Sequence, residues 1–205
     1  MQNKKIKVVI FDIGNVLAYF CWQEVFERYL SKEELTLLSE EIIPNRIEWY
    51  QMDQGLLTIS DVAKSITKEF PNLEATLQEA ICKVFQEISP FSYAEKWVQN
   101  IKSRGYRVYI LSNYGEEAFA LSKERYTFLQ HVDGQIISSE VKLMKPDHRI
   151  YQTLFERFGF NPEEAVFIDD NVDNIQAAKE LGVKTVHFQS YEQGSQELET
   201  ILSTY

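Results

Sequence analysis

VVIFDIGNVLAYF, residues 8–20, begins as an apolar run and changes character at Asp12. The run consists of Val, Ile and Phe and is too short for a helix, so it is predicted to be a buried strand. It ends in a carboxylate, and Gly14 and Asn15 follow directly after Ile13. A carboxylate and a glycine at the end of a buried strand indicate either a simple turn or a chemical site at the edge of a sheet.

Four later runs have the same character and bring the number of predicted strands to five. These strands are residues 7–12, 107–113, 135–138, 165–170 and 184–188. Amphipathic segments of helical period lie between the later strands at residues 150–158 and 175–181, and the second is followed by the helix-stop residue Gly182. Strands that alternate with helices predict an α/β fold with a doubly wound, Rossmann-like parallel sheet of five strands.

The first and second predicted strands are separated by residues 13–106, which is too long for a structureless loop in a compact domain. Helical patterns cover residues 23–30, 32–42, 46–52, 60–70, 73–88 and 93–103. Thr58 or Ser60 is expected to cap one of these helices. We therefore expect a core formed by residues 1–18 and 91–205, and a small helical cap domain formed by residues 19–90 that is inserted after the first strand.

Polar side chains stand where three of the predicted strands end. In an open α/β sheet, ligands bind beyond the carboxyl ends of the strands. The polar residues at these ends are Asp12, Ser112, Asn113, Asp169 and Asp170. The loop LMKPD adds a cation, Lys145, before the fourth strand.

This set of residues is suited to phosphoryl transfer. Clustered carboxylates repel one another, so they require protons or a cation. All the candidate ligands are oxygen atoms, which favours Mg²⁺. The Ser112 hydroxyl and the Lys145 ammonium suit phosphate oxygens, and a carboxylate such as Asp12 can attack phosphorus.

Each signal alone has a simpler explanation. Asp12 is by itself typical of a turn or a helix cap, Asp169 and Asp170 are typical of a helix N-terminus, and Lys145 is typical of a solvated loop. Their shared position at one edge of the predicted sheet favours a site.

Four segments together resemble the haloacid dehalogenase-like hydrolase superfamily, whose members are mostly phosphatases. The segments are FDIGNVL, ILSN, LMKPDHRIY and FIDDNVDNIQAA, in the order that the superfamily uses. Within it, the chain is most similar to the branch of glucose-1-phosphatases and of the phosphatase domain of epoxide hydrolase. The resemblance implies strand order 5-4-1-2-3, counted along the chain, and a cap between the first two motifs that selects the substrate.

The resemblance also implies a role for each motif residue. Asp12 would be the nucleophile and a Mg²⁺ ligand, with the backbone carbonyl of Gly14 and the carboxylate of Asp170 as further ligands. Asp169 would act through water, and Asn174 would stand behind the ligands. The phosphoryl group would be held by Ser112, Asn113 and Lys145, of which Lys145 would also offset the charge of Asp12.

Gly14 departs from the usual pattern of the superfamily, in which a second Asp stands at this position and transfers a proton. General acid–base help of this kind is worth about 10²–10⁴-fold. Three consequences of the missing proton donor are possible. The substrate could be a sugar phosphate such as a hexose 1-phosphate, whose sugar leaves more readily than an ordinary alkoxide. Alternatively, another group could supply the proton, or turnover could be slow. The proposed substrate is therefore a small phosphorylated metabolite, with a 2-haloacid dehalogenase or a catalytically weak phosphate-metabolite-binding protein as alternatives.

Composition limits the other possibilities. The net charge of −10 argues against nucleic acid as a partner, because nucleic-acid binding needs a basic face. No apolar stretch is long enough for a membrane span and no signal peptide is recognisable, so we expect a cytoplasmic protein. We also expect a monomer or a weak homodimer. Of the three histidines, only His148 is expected near the site. The aromatic residues Trp22, Trp49 and Tyr50 are expected to pack between helices, although these and Arg46 could face the substrate.

Overall fold

The computed structural model describes residues 6–20, 22–36, 47–68 and 71–204. Its main sheet consists of five parallel strands. Two further short strands form a separate antiparallel pair. The strands are β1 (Val8–Phe11), β2 (Ala18–Tyr19), β3 (Ser89–Pro90), β4 (Arg107–Ser112), β5 (Gly134–Ile137), β6 (Ala165–Asp169) and β7 (Lys184–His187).

The α/β fold with a parallel five-stranded sheet is confirmed. The main sheet has the order β5-β4-β1-β6-β7. This order differs in its labels from the predicted 5-4-1-2-3, because the short strands β2 and β3 were not predicted and shift the count of every later strand. With those two strands left out, β1 lies between the second and fourth strands of the main sheet, as expected.

Helices connect the strands and cover the sheet. They are α1 (Trp22–Tyr29), α2 (Ile47–Asp53), α3 (Ile59–Ile66), α4 (Glu74–Glu87), α5 (Ala94–Ser103), α6 (Glu116–Ser122), α7 (Ser138–Val141), α8 (His148–Phe158), α9 (Val172–Glu180) and α10 (Tyr191–Thr204). Residues 32–36 are also helical, and the rest of the helix predicted for residues 32–42 lies outside the described residues. In the part of the chain that the structure describes, no helix is long and apolar enough to cross a membrane.

Alternate residues of the sheet enter two separate hydrophobic clusters, because successive strand side chains point to opposite faces. Val9 and Phe11 of β1 pack in one cluster with residues of α5 and α10, whereas Val8 and Ile10 pack in the other with residues of α8 and α9. All four of these β1 residues are almost fully buried. The central strand is therefore covered on both faces and opens to solvent only at its ends.

Residues 19–90, the segment predicted to be inserted and called the inserted segment below, begin in β2 and end in β3, and these two strands pair with each other. Ala18 lies opposite Pro90, and Tyr19 lies opposite Ser89. Helix α4 packs against α1, α3 and α6, and α2 packs against α7. Thr58 caps α3 as expected, since its side chain accepts a hydrogen bond from Asp61 N–H and the Asp61 side chain accepts one from Thr58 N–H. The helices of the segment thus lie beside the loops that follow β4 and β5.

Candidate active site

Asp12 stands directly after β1, at the carboxyl edge of the sheet. Its N–H donates to the carbonyl of Ile168 at 3.0 Å, so the backbone continues the pairing with β6 up to this residue. Its Oδ1 accepts a hydrogen bond from Ile13 N–H at 2.8 Å. Only 7% of the residue is exposed. The central strand therefore delivers a buried carboxylate to the gap between its two neighbours.

Asp12, Asp169 and Asp170 form one cluster, in which one carboxylate oxygen from each residue lies within 4.8 Å of the others. Asp169 is completely buried and Asp170 is half-buried. The structure thus brings together the two strand ends that the sequence analysis placed side by side.

Lys145 is the cation of this cluster. Its Nζ lies 2.9 Å from Asp12 Oδ1 and 2.7 Å from Asp169 Oδ2, and it donates to the carbonyl of Leu111 at 2.9 Å. Burial lowers the pKa of Lys145, but the charges of Asp12 and Asp169 outweigh burial and raise it above its ordinary value. The ammonium group is therefore charged and its three hydrogens are used, which fixes its position between the two carboxylates.

Asp169 is held from several sides. Besides Lys145, its carboxylate accepts hydrogen bonds from the backbone N–H of Asn171 at 2.8 Å and from the side-chain amide of Asn174 at 3.0 and 3.1 Å. Asn174 is buried and lies behind Asp169. Because these contacts leave Asp169 little freedom, Asp170 is the more accessible of the two carboxylates.

The cluster carries more negative than positive charge. Burial raises the pKa of Asp12 to about 6, a change that Lys145 opposes and Asp169 reinforces. Burial also raises the pKa of Asp170, although the hydrogen bond from Asn15 lowers it. Three carboxylates face one ammonium group, so the set fits a divalent cation in both charge and oxygen chemistry.

Ser112 and Asn113 follow β4 into the site but are placed differently. The Ser112 side chain is buried and lies close enough to the Asp12 carboxylate to lower its pKa. The Asn113 side chain donates to the carbonyl of Lys145 and accepts from its N–H, both at 2.9 Å. The Asn113 amide is thus occupied by the backbone of Lys145. Asn113 was expected to contact phosphate directly, but in the structure its side chain positions the lysine loop.

Gly14 lies at the same edge and leaves space beside it. A Cβ atom built on Gly14 would meet no other atom within 4 Å. Asn15 has a left-handed backbone with φ of 54°, and its side-chain amide donates to Asp170 Oδ2 at 3.0 Å. Asn15 therefore connects the first and fourth motifs, a contact that the sequence analysis missed even though Asn is the non-glycine residue most suited to this conformation.

A cavity of about 330 Å³ opens beside the carboxylates. All the residues of the cluster except Asp169 line it, together with Gly14 and side chains from the inserted segment. Trp22, Trp49 and Tyr50 also line it, and Trp22 and Trp49 pack against the hydrophobic core as expected. Arg46 lies outside the described residues.

Asp53, at the end of α2, is a lining residue that the sequence analysis did not select. Its Oδ1 accepts a hydrogen bond from Gly115 N–H at 3.1 Å. Burial raises the pKa of Asp53 to about 7, the Gly115 hydrogen bond lowers it, and the charge of Asp12 raises it further. The one available signal was its place in WYQMDQG, where an acidic residue precedes a glycine turn.

The histidines are arranged differently from the expectation. His148 does not line the cavity and pairs with Glu180 at 3.0 Å. His187 instead contacts a site residue, because its Nε2 lies 3.0 Å from the backbone carbonyl of Asp170. Among the described residues that line the cavity there is no histidine, and the polar side chains include carboxylates, amides, hydroxyls and an ammonium group.

Similarity to known proteins indicates the family of this chain. A sequence profile described as haloacid dehalogenase-like hydrolase matches residues 6–182. (S)-2-Haloacid dehalogenase 4A of Burkholderia cepacia is 31% identical over 54% of this chain and 48% of its own length. Sesquiterpene phosphatase astK of Aspergillus oryzae is 22% identical over 88% of this chain and 89% of its own length.

Bifunctional epoxide hydrolase 2 of Mus musculus is 26% identical over 97% of this chain, and the match spans 39% of that longer protein. Among solved structures, the HAD family enzyme bt-2542 of Bacteroides thetaiotaomicron, in complex with magnesium and inorganic phosphate, superposes with a TM-score of 0.77. The superposition covers 94% of this chain and 98% of that one at 22% identity, which establishes a common fold.

Proposed function

The chain belongs to the haloacid dehalogenase-like hydrolases, and from that premise we propose that it is a Mg²⁺-dependent phosphatase for a small phosphorylated metabolite. One observation carries the proposal: three carboxylates and a buried lysine meet at the carboxyl edge of a parallel sheet. The cavity beside them is of a size for a small molecule.

In this proposal Asp12 is the nucleophile. Its carboxylate oxygen forms a bond to phosphorus while the bond from phosphorus to the alcohol oxygen breaks, which gives an aspartyl-phosphate that water then hydrolyses. Lys145 and Ser112 contact the Asp12 carboxylate and hold it in one orientation. Such positioning is worth effective molarities of about 10⁵ M or more, so fixed geometry at this edge is a large part of catalysis.

We assign the metal site to Asp12, Asp170 and the backbone carbonyl of Gly14, with Asp169 behind them. The donor set is all oxygen and its charge exceeds that of Lys145, which fits Mg²⁺. When bound, Mg²⁺ would neutralise charge on the phosphoryl group and on the carboxylates. Asn15 and Asn174 each donate a hydrogen bond to one carboxylate of the cluster and so orient the Asp170 and Asp169 oxygens.

We also propose that residues 19–90 act as a cap over the core of residues 1–18 and 91–205. Side chains of the inserted segment and of the core line the same cavity. The paired strands β2 and β3 form the connection. A cap of this kind would exclude bulk water from the site and contact the alcohol portion of the substrate.

The test is the release of inorganic phosphate from a panel of phosphate monoesters and acetyl phosphate, with Mg²⁺ and with EDTA. We expect release that requires Mg²⁺ and that falls at least about 10³-fold in Asp12→Asn, because an amide is a poor nucleophile. Glu116→Gln, which removes a charge from an exposed residue of α6, is the matched control and should retain activity. Release that Asp12→Asn leaves unchanged would overturn the proposed mechanism.

A 2-haloacid dehalogenase is the second candidate, because a dehalogenase is among the relatives. In that reaction the Asp12 carboxylate would attack carbon and release a halide, with no need for a metal. The pair formed by Asp169 and Asp170 beside Asp12 favours the metal-dependent phosphatase, since clustered carboxylates need a cation. Halide release from 2-chloropropionate in the presence of EDTA would favour the dehalogenase.

A further inference from the structure

The cavity beside Asp12 is lined by two chemically different sets of side chains. The carboxylates of Asp12 and Asp170, the ammonium group of Lys145 and several side-chain amides form the polar set. The inserted segment contributes mainly aromatic and aliphatic side chains, which we call the apolar wall, among them Phe20, Phe26, Met52, Ile81, Val84 and Phe85. A substrate whose phosphate contacts the polar set is therefore expected to place its alcohol portion against the apolar wall.

Two further polar residues of the cavity lining, Tyr114 and Asp53, already have hydrogen-bond partners. The hydroxyl of Tyr114 lies 2.9 Å from the hydroxyl of Ser122 and 3.0 Å from that of Tyr126. Asp53 has one carboxylate oxygen on Gly115 N–H. A hexose would bring several hydroxyl groups into this environment, and each hydroxyl buried without a partner lowers affinity.

Apolar side chains also continue to the mouth of the cavity. Phe20 is 39% exposed and Tyr50 is 51% exposed, and both line the cavity. Exposed apolar surface that continues into a pocket is typical of a site for an apolar ligand.

We propose that the natural substrate is the phosphate monoester of a hydrocarbon-rich alcohol, with an alkyl or alkenyl chain against the apolar wall. The proposal rests on the phosphatase function above and replaces the hexose 1-phosphate that the sequence suggested. The chain length is limited by a cavity of about 330 Å³, which also has to hold the phosphoryl group.

The test compares n-alkyl phosphates from methyl to decyl with glucose 1-phosphate and glucose 6-phosphate, all in Mg²⁺. We expect kcat/KM to rise about threefold to fourfold for each added CH₂ until the wall is covered, the factor that corresponds to burying one such group. Hexyl phosphate should then exceed both hexose phosphates by at least about 100-fold. Phe20→Asn should reduce the rise per CH₂, whereas Leu56→Asn, at an exposed residue outside the cavity, should not.

Two outcomes would separate the proposals. Phosphate release from acetyl phosphate, with no dependence of kcat/KM on alkyl chain length or with a preference for the hexose phosphates, would overturn the substrate class alone. No release from any ester or from acetyl phosphate would overturn the phosphatase function itself.

A second inference concerns Asp53, which is hydrogen-bonded to residues of the core as well as belonging to α2. Besides the hydrogen bond to Gly115 N–H, its backbone carbonyl accepts from the Ser138 hydroxyl at 2.5 Å. In the next residues, Gln54 Nε2 donates to the carbonyl of Lys142 at 2.9 Å, and Lys142 Nζ donates to the carbonyl of Gly55 at 2.7 Å. Four hydrogen bonds thus attach the end of α2 to the loops after β4 and β5.

The second carboxylate oxygen of Asp53 is available to a ligand. Within the described part of the chain, only Oδ1 accepts a hydrogen bond. Every buried side-chain nitrogen or oxygen there has a partner, so Oδ2 is an accessible atom of a residue that lines the cavity. Gly14, which lines the same cavity, lacks the side chain that would move a proton.

We propose that Asp53 is the general acid and base that substitutes for the missing carboxylate at position 14. As the Asp12 oxygen bonds to phosphorus and the phosphorus–alcohol bond breaks, the Asp53 carboxylic acid gives its proton to the departing oxygen. In the second step the Asp53 carboxylate takes a proton from water, the water oxygen bonds to phosphorus, and the bond to Asp12 breaks. One water is consumed, and alcohol and inorganic phosphate are released.

The environment of Asp53 suits this cycle. A proton-transfer group works best when its pKa lies near the working pH, and the pKa of Asp53 is raised to about 7 by burial. The charged groups that act on Asp53 are Asp12, which raises its pKa, and Lys145, which lowers it.

The test uses Asp53→Asn, which keeps an oxygen that can accept from Gly115 N–H. Because p-nitrophenolate leaves without a proton, and kcat/KM reports only the steps up to departure of the alcohol, we expect kcat/KM for an alkyl phosphate to fall about 10²–10⁴-fold and kcat/KM for p-nitrophenyl phosphate to fall less than about tenfold. The decline of the alkyl phosphate rate at pH above about 7, where wild-type Asp53 ionises, should disappear. The double variant Asp53→Asn, Gly14→Asp should hydrolyse the alkyl phosphate at least about tenfold faster than Asp53→Asn alone.

Equal losses on the two substrates, or an unchanged pH profile, would assign Asp53 a purely structural role and overturn the inference. The proposed phosphatase function would survive that result, because p-nitrophenyl phosphate hydrolysis that depends on Asp12 and Mg²⁺ tests it separately. Glu116→Gln is again the control, since it removes a negative charge beside Gly115 at an exposed residue.

Discussion

At the scale of single residues, Lys145 is the most constrained group of the site. It is buried to 96%, and its ammonium group contacts two carboxylates and one backbone carbonyl. A buried charge of this kind is stable only while its partners are present, and the same holds for the partners. Lys145 therefore stabilises the folded site and orients Asp12 at the same time.

Lys145→Met is expected to lower the free energy of unfolding by about 3–5 kcal/mol near pH 8, because it leaves Asp12 and Asp169 buried without a cation. Lys102→Met is the matched control, since Lys102 pairs with Asp133 at 2.7 Å on the surface and exposed pairs contribute about 0–1 kcal/mol. Urea denaturation of the three proteins measures the difference. Equal losses in the two variants would contradict the assigned role.

Gly14→Asp is expected to be tolerated. The position has room for a Cβ atom, and its backbone is outside the left-handed region. In Mg²⁺ the free energy of unfolding should change by less than about 0.5 kcal/mol, and calorimetry should show Mg²⁺ affinity within about tenfold of the original. Loss of Mg²⁺ binding would contradict the proposal that Gly14 contributes only its backbone carbonyl to the metal site.

At the scale of elements, the end of α2 determines where Asp53 lies. Gly55 has a φ of +71°, and an added Cβ would lie 2.9 Å from the carbonyl oxygen of Ser139 and closer still to Lys142 Nζ. Glycine is thus required at this position both by the backbone conformation and by the close approach of α7. The turn can approach the core only because this residue has no side chain.

Gly55→Ala should therefore disturb catalysis as well as stability. The left-handed backbone costs about 1–2 kcal/mol for a residue with a Cβ, and the contact with Ser139 would in addition shift the turn that carries Asp53. A displacement of about 1 Å costs about 10²-fold in rate. Gly159→Ala is the control, because Gly159 has a φ of +64° with nothing within 4 Å.

Denaturation and steady-state kinetics on both variants separate the two effects. Gly159→Ala should lose stability and keep kcat/KM, whereas Gly55→Ala should lose both. If the two variants have the same kcat/KM, the turn does not control the position of Asp53.

At the scale of the whole molecule, the buried carboxylates link stability to pH and to metal. The folded state raises the pKa of Asp12 to about 6 and that of Asp53 to about 7, from an ordinary value of 3.8. Between these values the folded state binds more protons than the unfolded state, so the free energy of unfolding falls as pH rises. A carboxylate such as Asp147, whose pKa is lowered to about 2 by Arg149, is ionised in both states throughout this window.

Without metal, the protein is expected to lose stability as the pH rises from about 5 to about 8, with the steepest fall below about pH 6, where both carboxyl groups are protonated in the folded state and ionised in the unfolded state. Mg²⁺ should reverse the loss at pH 8 by about 2.7 kcal/mol at 100 times its Kd, and should have a smaller effect at pH 5, where protons compete for the same oxygens. Denaturation at both pH values, in EDTA and in Mg²⁺, measures this. Stability that rises with pH in EDTA would contradict it.

The sequence was sufficient for those parts of the fold whose signal is local. Short Val- and Ile-rich runs located β1, β4, β5, β6 and β7 to within one or two residues, and the rule that ligands bind at strand ends brought Asp12, Asp169 and Asp170 together. The two-residue strands β2 and β3 are too short for any periodic pattern.

Other features depended on packing between distant segments. Asp53 was not selected, because its contacts with Gly115 and Ser138 form only when the inserted helices meet the core. The amide of Asn113 was expected on phosphate, because nothing local indicates that Lys145 comes back to meet it. Side-chain identity thus predicted which residues gather at the site, but not which of them hold one another.

The pairing of β2 with β3 has a consequence for how such a protein can be altered. Neighbouring strands lie about 5 Å apart, so the segment between them leaves the rest of the chain and returns to it at almost one point. A foreign segment with equally close ends could replace residues 20–88 with little strain on the sheet beneath. The hydrogen bonds of Gly115, Ser138 and Lys142 would be the remaining requirement, because a transplanted segment without a carboxylate and a glycine at the right turn would dock without completing the site.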